Sequence, residues 1–286
     1  MFGSLKLAER VRLFRELATL VNAGMSLGMA LSSLEERGGS PELRVALRDA
    51  ARSVSSGKRF SEVMARHPKV FSELNVALIA AGEEGGHLDE MLTLSADYLE
   101  RDLEFQQNLA RETLYPKLLL AAVVLIPLAT RMIIAGLTLS LGQALLVGIK
   151  FAAVVGLFVL LPLGVLYMVY RRYYHSTAQG RRTIDDLKLR VPIWGAVSAK
   201  LAWARLCRAL SALYGAGVNI RSAVGIASNT AANRAIEEVL TGTVPALERG
   251  EKLSDALAKT GQIPPLALSM LRTGEQTGQI DSTMAK

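Results

Sequence analysis

The sequence predicts an all-α protein in which two homologous helical bundles flank a transmembrane helical hairpin. Three observations support this fold class. Apolar residues recur at helical spacing in the two outer parts of the chain, and these two parts share an internal repeat. Two apolar runs between them are long enough to cross a bilayer. Because 50% of the 286 residues are hydrophobic and 21% are charged, the two kinds of residue must be segregated along the chain.

The composition excludes several classes of protein. The net charge of +7 suits anionic lipid headgroups or acidic partners. No zinc-finger spacing and no basic pattern with interleaved aromatic residues accompanies this charge, so we expect no nucleic-acid partner. The single cysteine, Cys207, excludes an internal disulfide, and we interpret it as a small buried hydrophobic residue.

The first bundle is predicted over residues 1–112. Leu13, Leu17 and Leu20 recur at i, i+4 and i+7, which places them on one face of a helix that ends at Gly24. The pair Ser40-Pro41 predicts a helix N-cap followed by proline at the first helical position. The other predicted helices follow Ser26 and cover about 61–66, 72–81 and 88–107.

Two membrane spans are predicted in the middle of the chain, over 113–141 and 151–170. The second run is uncharged, whereas the first carries Arg131 within it. The loop between them, 142–150, is short, and a basic linker follows over 171–200. Because basic residues concentrate outside the hairpin, both bundles are predicted to lie in the cytoplasm.

The two bundles share three separated motifs in one register. The segment Leu13 to Leu20, followed by Ala-Gly, recurs 193 positions later as Leu206 to Leu213, again followed by Ala-Gly. The same shift carries Gly57-Lys58-Arg59-Phe60-Ser61 onto Gly250-Glu251-Lys252-Leu253-Ser254. After the loss of one residue, Gly82 to Asp89 matches Gly274 to Asp281. The second bundle is therefore predicted over 201–286, and we expect it to be truncated because Met284 falls on Leu92.

The paired bundles resemble a known family. The leading helix that ends in Ala-Gly, the Gly-x-x-[Leu/Phe]-Ser turn and the Gly-Glu-x-x-Gly-x-[Leu/Ile] corner are similar to those of the general secretion pathway protein F and PilC family. The resemblance covers nearly the whole chain. The stretch between the predicted spans is shorter than in that family, and the expected third span is absent from this sequence.

The resemblance implies a function without catalysis. It identifies a platform protein in a bacterial or archaeal cytoplasmic membrane, belonging to a type II secretion or type IV pilus machine, with several membrane passes. The implied partners are a cytoplasmic assembly ATPase, other inner-membrane components, pilin or pseudopilin subunits, membrane lipid and further copies of the chain. No cofactor is implied. Half of a small symmetrical transporter and a membrane-bound enzyme are the alternatives.

The residues themselves favour a role in binding over a role in chemistry. The sequence lacks a Walker A loop, Gly-x-Ser-x-Gly and His-Glu-x-x-His. One acidic cluster has the oxygen ligands that a hard cation would need, but acidic residues at the start of a helix also complement its dipole. The four carboxylates of that cluster are Glu83, Glu84, Asp89 and Glu90. We therefore predict no metal site and keep these four as the alternative.

The duplicated corner is the main candidate for a functional or structural site. We expect Gly82 and Gly274 to end a helix with positive φ, and Glu83 and Glu275 to begin the next turn. A partner contact at this corner is the alternative. The residues singled out for either role are Gly24, Gly82, Glu83, Gly86, Gly217, Gly274, Glu275 and Gly278.

Overall fold

The computed structural model describes residues 6–138, 164, 168, 194–231 and 233–284. Every regular element within these residues is a helix, in agreement with the predicted all-α class. The chain divides into two compact units, one formed by 1–104 together with 185–286 and the other by 105–184. Both copies of the internal repeat therefore belong to the same unit, which we call the repeat unit.

Six helices form the first repeat, and each matches a helix predicted from the sequence. They are α1 (Leu7–Asn22), α2 (Leu27–Glu36), α3 (Pro41–Ser55), α4 (Phe60–Ala65), α5 (Glu73–Gly85) and α6 (Leu88–Glu112). The predicted N-cap of α3 is confirmed, because the Ser40 hydroxyl accepts a hydrogen bond from the Leu43 amide and Pro41 follows it. Ser72 caps α5 in the same way, through the Asn75 amide.

The core of the first repeat is built around three phenylalanine rings. Phe71, just before α5, meets Phe14 of α1 at 6.2 Å between ring centroids and Phe60 of α4 at 6.0 Å, both edge to face. All three side chains are almost completely buried. These contacts join α1 and α4 to the start of α5, although Phe14 is far from the other two residues in sequence.

The second repeat follows the same order of helices. Its elements are α8 (Trp194–Gly215), α9 (Ile220–Ser228), a 3₁₀ turn (Asn229–Ala231), α10 (Arg234–Glu248), α11 (Leu253–Thr260), α12 (Pro265–Thr277) and α13 (Ile280–Met284). Thus α8 to α13 are the counterparts of α1 to α6.

The other unit contains α7 (Leu114–Thr138), which includes Pro127 and exposes many large apolar side chains. These side chains include Leu118, Leu119, Val123, Leu125, Ile126, Ile133, Ile134 and Leu137. Across the described part of the chain, no helix was found to combine the length and apolar character needed to cross a membrane. The second predicted span, 151–170, and the predicted loop 142–150 lie outside the described residues, apart from Gly164 and Met168.

Candidate functional site

The carboxylate of Glu83 caps the helix that precedes it in the chain. Glu83 lies in the last turn of α5, and its Oε1 accepts a hydrogen bond from the Phe60 amide at 2.5 Å. Its Oε2 accepts from the Ser61 amide at 3.2 Å and from the Ser61 hydroxyl. The first amides of α4 have no partner within their own helix, so the Glu83 side chain supplies acceptors that α4 lacks.

The second repeat contains the same cap at the same positions. Both carboxylate oxygens of Glu275 accept from the Ser254 amide, at 3.2 and 3.3 Å, and Oε2 also accepts from the Ser254 hydroxyl. The two serines are nearly buried, with 6% of Ser61 and 2% of Ser254 exposed. The duplicated Gly-x-x-[Leu/Phe]-Ser turn and the duplicated Gly-Glu corner therefore bind each other in each copy.

The prediction for Gly82 and Gly274 is wrong in its mechanism. Both glycines lie inside a helix and neither has positive φ. A Cβ at Gly82 would lie 2.7 Å from Cγ of Met91 and 3.1 Å from Cα of Leu88. The absent side chain is thus required by the close approach of α6 to α5, and not by a left-handed backbone.

The same close approach recurs in the second repeat. A Cβ at Gly274 would lie 2.8 Å from Cα of Ile280, and it would also overlap Oγ1 of Thr283. Ile280 and Thr283 are the counterparts of Leu88 and Met91. The prediction that Glu83 and Glu275 begin a new turn is also wrong, since each lies within the helix that its glycine belongs to.

The left-handed positions are those of four other glycines in the predicted set. Gly86 and Gly278 end α5 and α12 with φ of 74° and 72°, and each donates its amide to the carbonyl of Gly82 or Gly274. Gly24 and Gly217 follow α1 and α8 with φ of 87° and 77°. The helix stop predicted at Gly24 is therefore confirmed.

The acidic cluster near Glu83 does not form a cation site within the described residues. Glu83 is engaged with α4, and Glu84 lies 3.4 Å from an Arg59 guanidinium nitrogen on the exposed surface. Asp89 and Glu90 occupy the first turn of α6, where they complement the helix dipole. No group of three or more histidine, cysteine, aspartate or glutamate side chains in the described ranges is placed to hold a metal ion.

One ion-pair network was not predicted from the sequence. The Arg15 guanidinium of α1 donates to Asp97 at 2.7 Å, and it also binds both carboxylate oxygens of Glu100 on α6. The hydrogen bond from Arg15 lowers the pKa of Glu100. Because these acidic residues are 82 and 85 positions from Arg15, no local spacing in the sequence could have revealed the pairing.

The two repeats contact each other within the repeat unit. The Asn229 side chain, in the 3₁₀ turn after α9, donates to Glu73 of α5 at 2.5 Å. Arg205 of α8 lies 3.9 Å from the Asp102 carboxylate of α6. Tyr98 packs between the copies, and burial, together with the nearby Asp102 carboxylate, raises its pKa to about 12. Local spacing in the sequence could not have revealed this contact either, because Asn229 and Glu73 are 156 positions apart.

Cys207 is half-buried on α8, and burial raises the pKa of its thiol to about 11. A thiol with such a pKa is largely protonated at neutral pH and is therefore a weak nucleophile. This environment agrees with the interpretation of Cys207 as a small hydrophobic residue.

Comparison with known proteins identifies the family. The chain matches the family described as "Type II secretion system (T2SS), protein F" over residues 13–136 and 206–286. It is 34% identical to the type IV pilus assembly protein PilC of Thermus thermophilus over 283 residues, covering 95% of this chain and 70% of that protein.

Two further relatives carry the other name found in this group. The type II secretion system protein F of Xanthomonas campestris is 33% identical, with 98% of this chain and 71% of the relative covered. The corresponding protein of Vibrio cholerae is 28% identical, with 95% and 70% covered. Each of the two matched stretches contains one copy of the duplicated Gly-Glu corner, and the first stretch also includes most of α7. The chain therefore belongs to the type II secretion system protein F family.

Proposed function

We propose that this chain is a non-enzymatic platform protein of a type II secretion or type IV pilus assembly machine in the cytoplasmic membrane. In this role it couples a cytoplasmic assembly ATPase to the polymerisation of pilin or pseudopilin subunits. The observation that carries the proposal is the duplicated helical repeat, because each of its two copies lies largely within one of the two stretches matched by the family. The names of the relatives, type IV pilus assembly protein and type II secretion system protein, support the kind of machine.

The hydrogen bonds of the duplicated Gly-Glu corner support a structural role without catalysis. Glu83 and Glu275 direct their carboxylates at backbone amides and serine hydroxyls of a neighbouring helix. Arg15 is engaged with two carboxylates of α6 in a similar way. These charged groups join helices to one another. Their proposed role is therefore to keep a scaffold rigid, and not to take part in a reaction.

The proposed topology places both repeats on the cytoplasmic side, with a hairpin over 113–141 and 151–170 between them. The contacts between the repeats support it, because parts that touch must lie on the same side of a membrane, and the chain between them then crosses an even number of times. Most of the excess positive charge lies between 113 and 200, which is the distribution expected beside cytoplasmic membrane boundaries.

Cysteine labelling tests this topology. In a Cys207→Ser background, we expect Glu42→Cys and Glu248→Cys to be shielded from a membrane-impermeant maleimide in intact cells, whereas Gln143→Cys, in the predicted loop 142–150, reacts. Glu42 and Glu248 are exposed in the structure, so shielding cannot come from burial in the fold. Permeabilised cells provide the control, in which all three sites must react. Labelling of only one of the two repeats in intact cells would refute the hairpin.

The surface proposed to contact the ATPase is the exposed basic side of α3. Arg44, Arg48 and Arg52 are exposed there, next to Val45, of which 59% is exposed. The second repeat has Glu237, Thr241 and Pro245 at the positions of these arginines, so the basic side is not part of the shared fold. A contact surface needs to be present in one copy only, whereas a feature of the fold recurs in both.

Charge reversal tests the ATPase contact. We expect Arg44→Glu combined with Arg52→Glu to weaken binding of the full chain to its cognate ATPase by about tenfold or more at low salt, since steering between opposite charges is lost. Arg221→Glu with Arg249→Glu on the second repeat changes the net charge equally and is the matched control. Equal losses from both pairs would exclude α3 as the specific site. Failure of the unmodified chain to bind the ATPase at any salt concentration would refute the coupling.

A further inference from the structure

Helices α2 and α3, which we call the α2–α3 pair, expose two large apolar side chains in the first repeat. Met29 of α2 is 62% exposed, and Val45 of α3 is 59% exposed. No other large apolar side chain among the described residues 6–112 is exposed to this degree. Single exposed apolar residues are common on protein surfaces, so the placement of these two relative to each other and to charge decides their meaning.

The two helices run in opposite directions, which places the exposed apolar side chains near opposite ends of the pair. A Cβ at Gly28 would lie 3.0 Å from Oγ of Ser55, so the start of α2 lies beside the end of α3. Glu35, near the end of α2, accepts a hydrogen bond from Arg48 at 2.6 Å. With a helical rise of about 1.5 Å per residue, the two apolar side chains are separated by roughly 10 to 15 Å along the pair.

Positive charge lies along α3 between these side chains. Arg48 and Arg52 are exposed there, and Arg44 is adjacent to Val45. Arg48 is paired with Glu35, whereas the guanidinium groups of Arg44 and Arg52 form no ion pair with any described residue. Two guanidinium groups are thus available to carboxylates of another molecule, with which they can form charge-assisted hydrogen bonds.

The second repeat retains the helix pair without this chemistry. Helices α9 and α10 are the counterparts of α2 and α3. At the positions of Met29, Arg44, Val45 and Arg52 they carry Ser222, Glu237, Glu238 and Pro245. The fold of the pair therefore requires neither the two apolar residues nor the two arginines, and we attribute them to binding.

We propose that the α2–α3 pair is the seat of an acidic amphipathic helix of the assembly ATPase, an inference that rests on the function proposed above. The helix lies along the pair and packs two apolar residues, about seven or eight positions apart, against Met29 and Val45. This spacing keeps both residues on one helical face and spans about 10 to 12 Å. Acidic residues on the same face bind Arg44 and Arg52.

A helix suits this surface better than an extended segment. An extended segment needs the free edge of a β-sheet for its backbone hydrogen bonds, and every regular element in the described part of the chain is a helix. A helix satisfies its own backbone groups, so only its side chains need partners. Two adjacent helices also form a shallow groove into which the side chains of a third can pack.

Removal of the two apolar side chains tests the seat. In the full chain, we expect Met29→Ser with Val45→Ser to weaken binding of the purified cognate ATPase by about tenfold at both low and high salt, since salt does not screen apolar contacts. Met29→Leu with Val45→Ile keeps the apolar surface and is the matched control, with an affinity within about twofold of the unmodified chain. Both residues are exposed, so the thermal unfolding of the two variants should match that of the unmodified chain.

The same measurement separates failure of the seat from failure of the proposed function. If the serine variant bound the ATPase as tightly as the unmodified chain, the α2–α3 pair would not be the seat, and the coupling to the ATPase would stand. If the unmodified chain did not bind the ATPase at any salt concentration, the coupling itself would fail and the seat with it.

Photo-crosslinking identifies the occupant. In a Cys207→Ser background, Ser32→Cys carries a benzophenone maleimide on the exposed side of α2, and Thr241→Cys on the exposed side of α10 is the control. With the purified ATPase and micelles containing anionic phospholipid, we expect the label at position 32 to capture an ATPase segment whose acidic residues recur at helical spacing, at about ten times the yield of the control. Capture mainly of a second copy of the chain, of phospholipid or of a basic ATPase segment would overturn the proposal.

Discussion

Replacing Gly274 by alanine is expected to destabilise the repeat unit by about 2 to 3 kcal/mol. The new Cβ would lie 2.8 Å from Cα of Ile280, so the backbone of α13 must move away from α12. Overpacking of this kind costs roughly 1 to 3 kcal/mol, and a backbone neighbour places the cost near the upper end of this range. Thermal unfolding of the full chain in detergent, followed by circular dichroism, measures the loss.

Gly242→Ala is the matched control for this substitution. Gly242 also lies within a helix, α10, but nothing lies within 4 Å of the position where its Cβ would be. Alanine there should stabilise the protein by about 0.5 to 1 kcal/mol, because glycine is unfavourable in a helix interior. The same chemical change should thus have opposite signs at the two sites. If Gly274→Ala also raised the unfolding temperature, the close approach of α12 and α13 would not be the reason for the glycine.

Replacing Glu83 by alanine is expected to cost about 1 to 3 kcal/mol of the free energy of unfolding. The substitution leaves the Phe60 and Ser61 amides and the Ser61 hydroxyl without their acceptor at a partly buried site. Glu275→Ala should have a similar effect on the second repeat through Ser254. Chemical denaturation of the full chain measures both changes.

The neighbouring residue Glu84 offers the control for Glu83. Its carboxylate is exposed and lies 3.4 Å from Arg59, so Glu84→Ala should change stability by less than about 0.5 kcal/mol. If Glu83→Ala instead left stability unchanged and abolished binding of the ATPase, the corner would be a partner contact and not a helix cap. The duplication of the cap in both copies favours the structural role.

The helices were predictable because their signals are local. The Ser40-Pro41 pair, the apolar spacing of Leu13, Leu17 and Leu20, and Gly24 each act within one or two helical turns. The duplication was visible for a related reason, because its short motifs can be recognised in the sequence itself and recur there in one register. That observation also predicted a second copy of the bundle over 201–286 before any contact was known.

The role of the duplicated corner could be predicted only in part. A glycine followed by a glutamate near a helix end is compatible with a left-handed cap or with close packing. Both interpretations explain the glycine by its lack of a side chain, so the sequence does not distinguish them. The sequence pointed to Gly82 for the left-handed position, whereas Gly86 has it. What decides between them is the distance from Gly82 to Leu88 and Met91, which depends on how α5 and α6 cross.

The sequence by itself determined the all-α class, the approximate bounds of the helices of the first repeat, the internal repeat and its register, because each depends on neighbours within a few residues or on motif identity. Only the tertiary structure decided which groups those motifs bind. Glu83 caps α4 across 22 and 23 positions, and Arg15 joins α6 across more than 80. Such pairings depend on the packing of helices distant in sequence, and hydrophobic packing is not directional, so periodicity defines the buried face of a helix but not its partner.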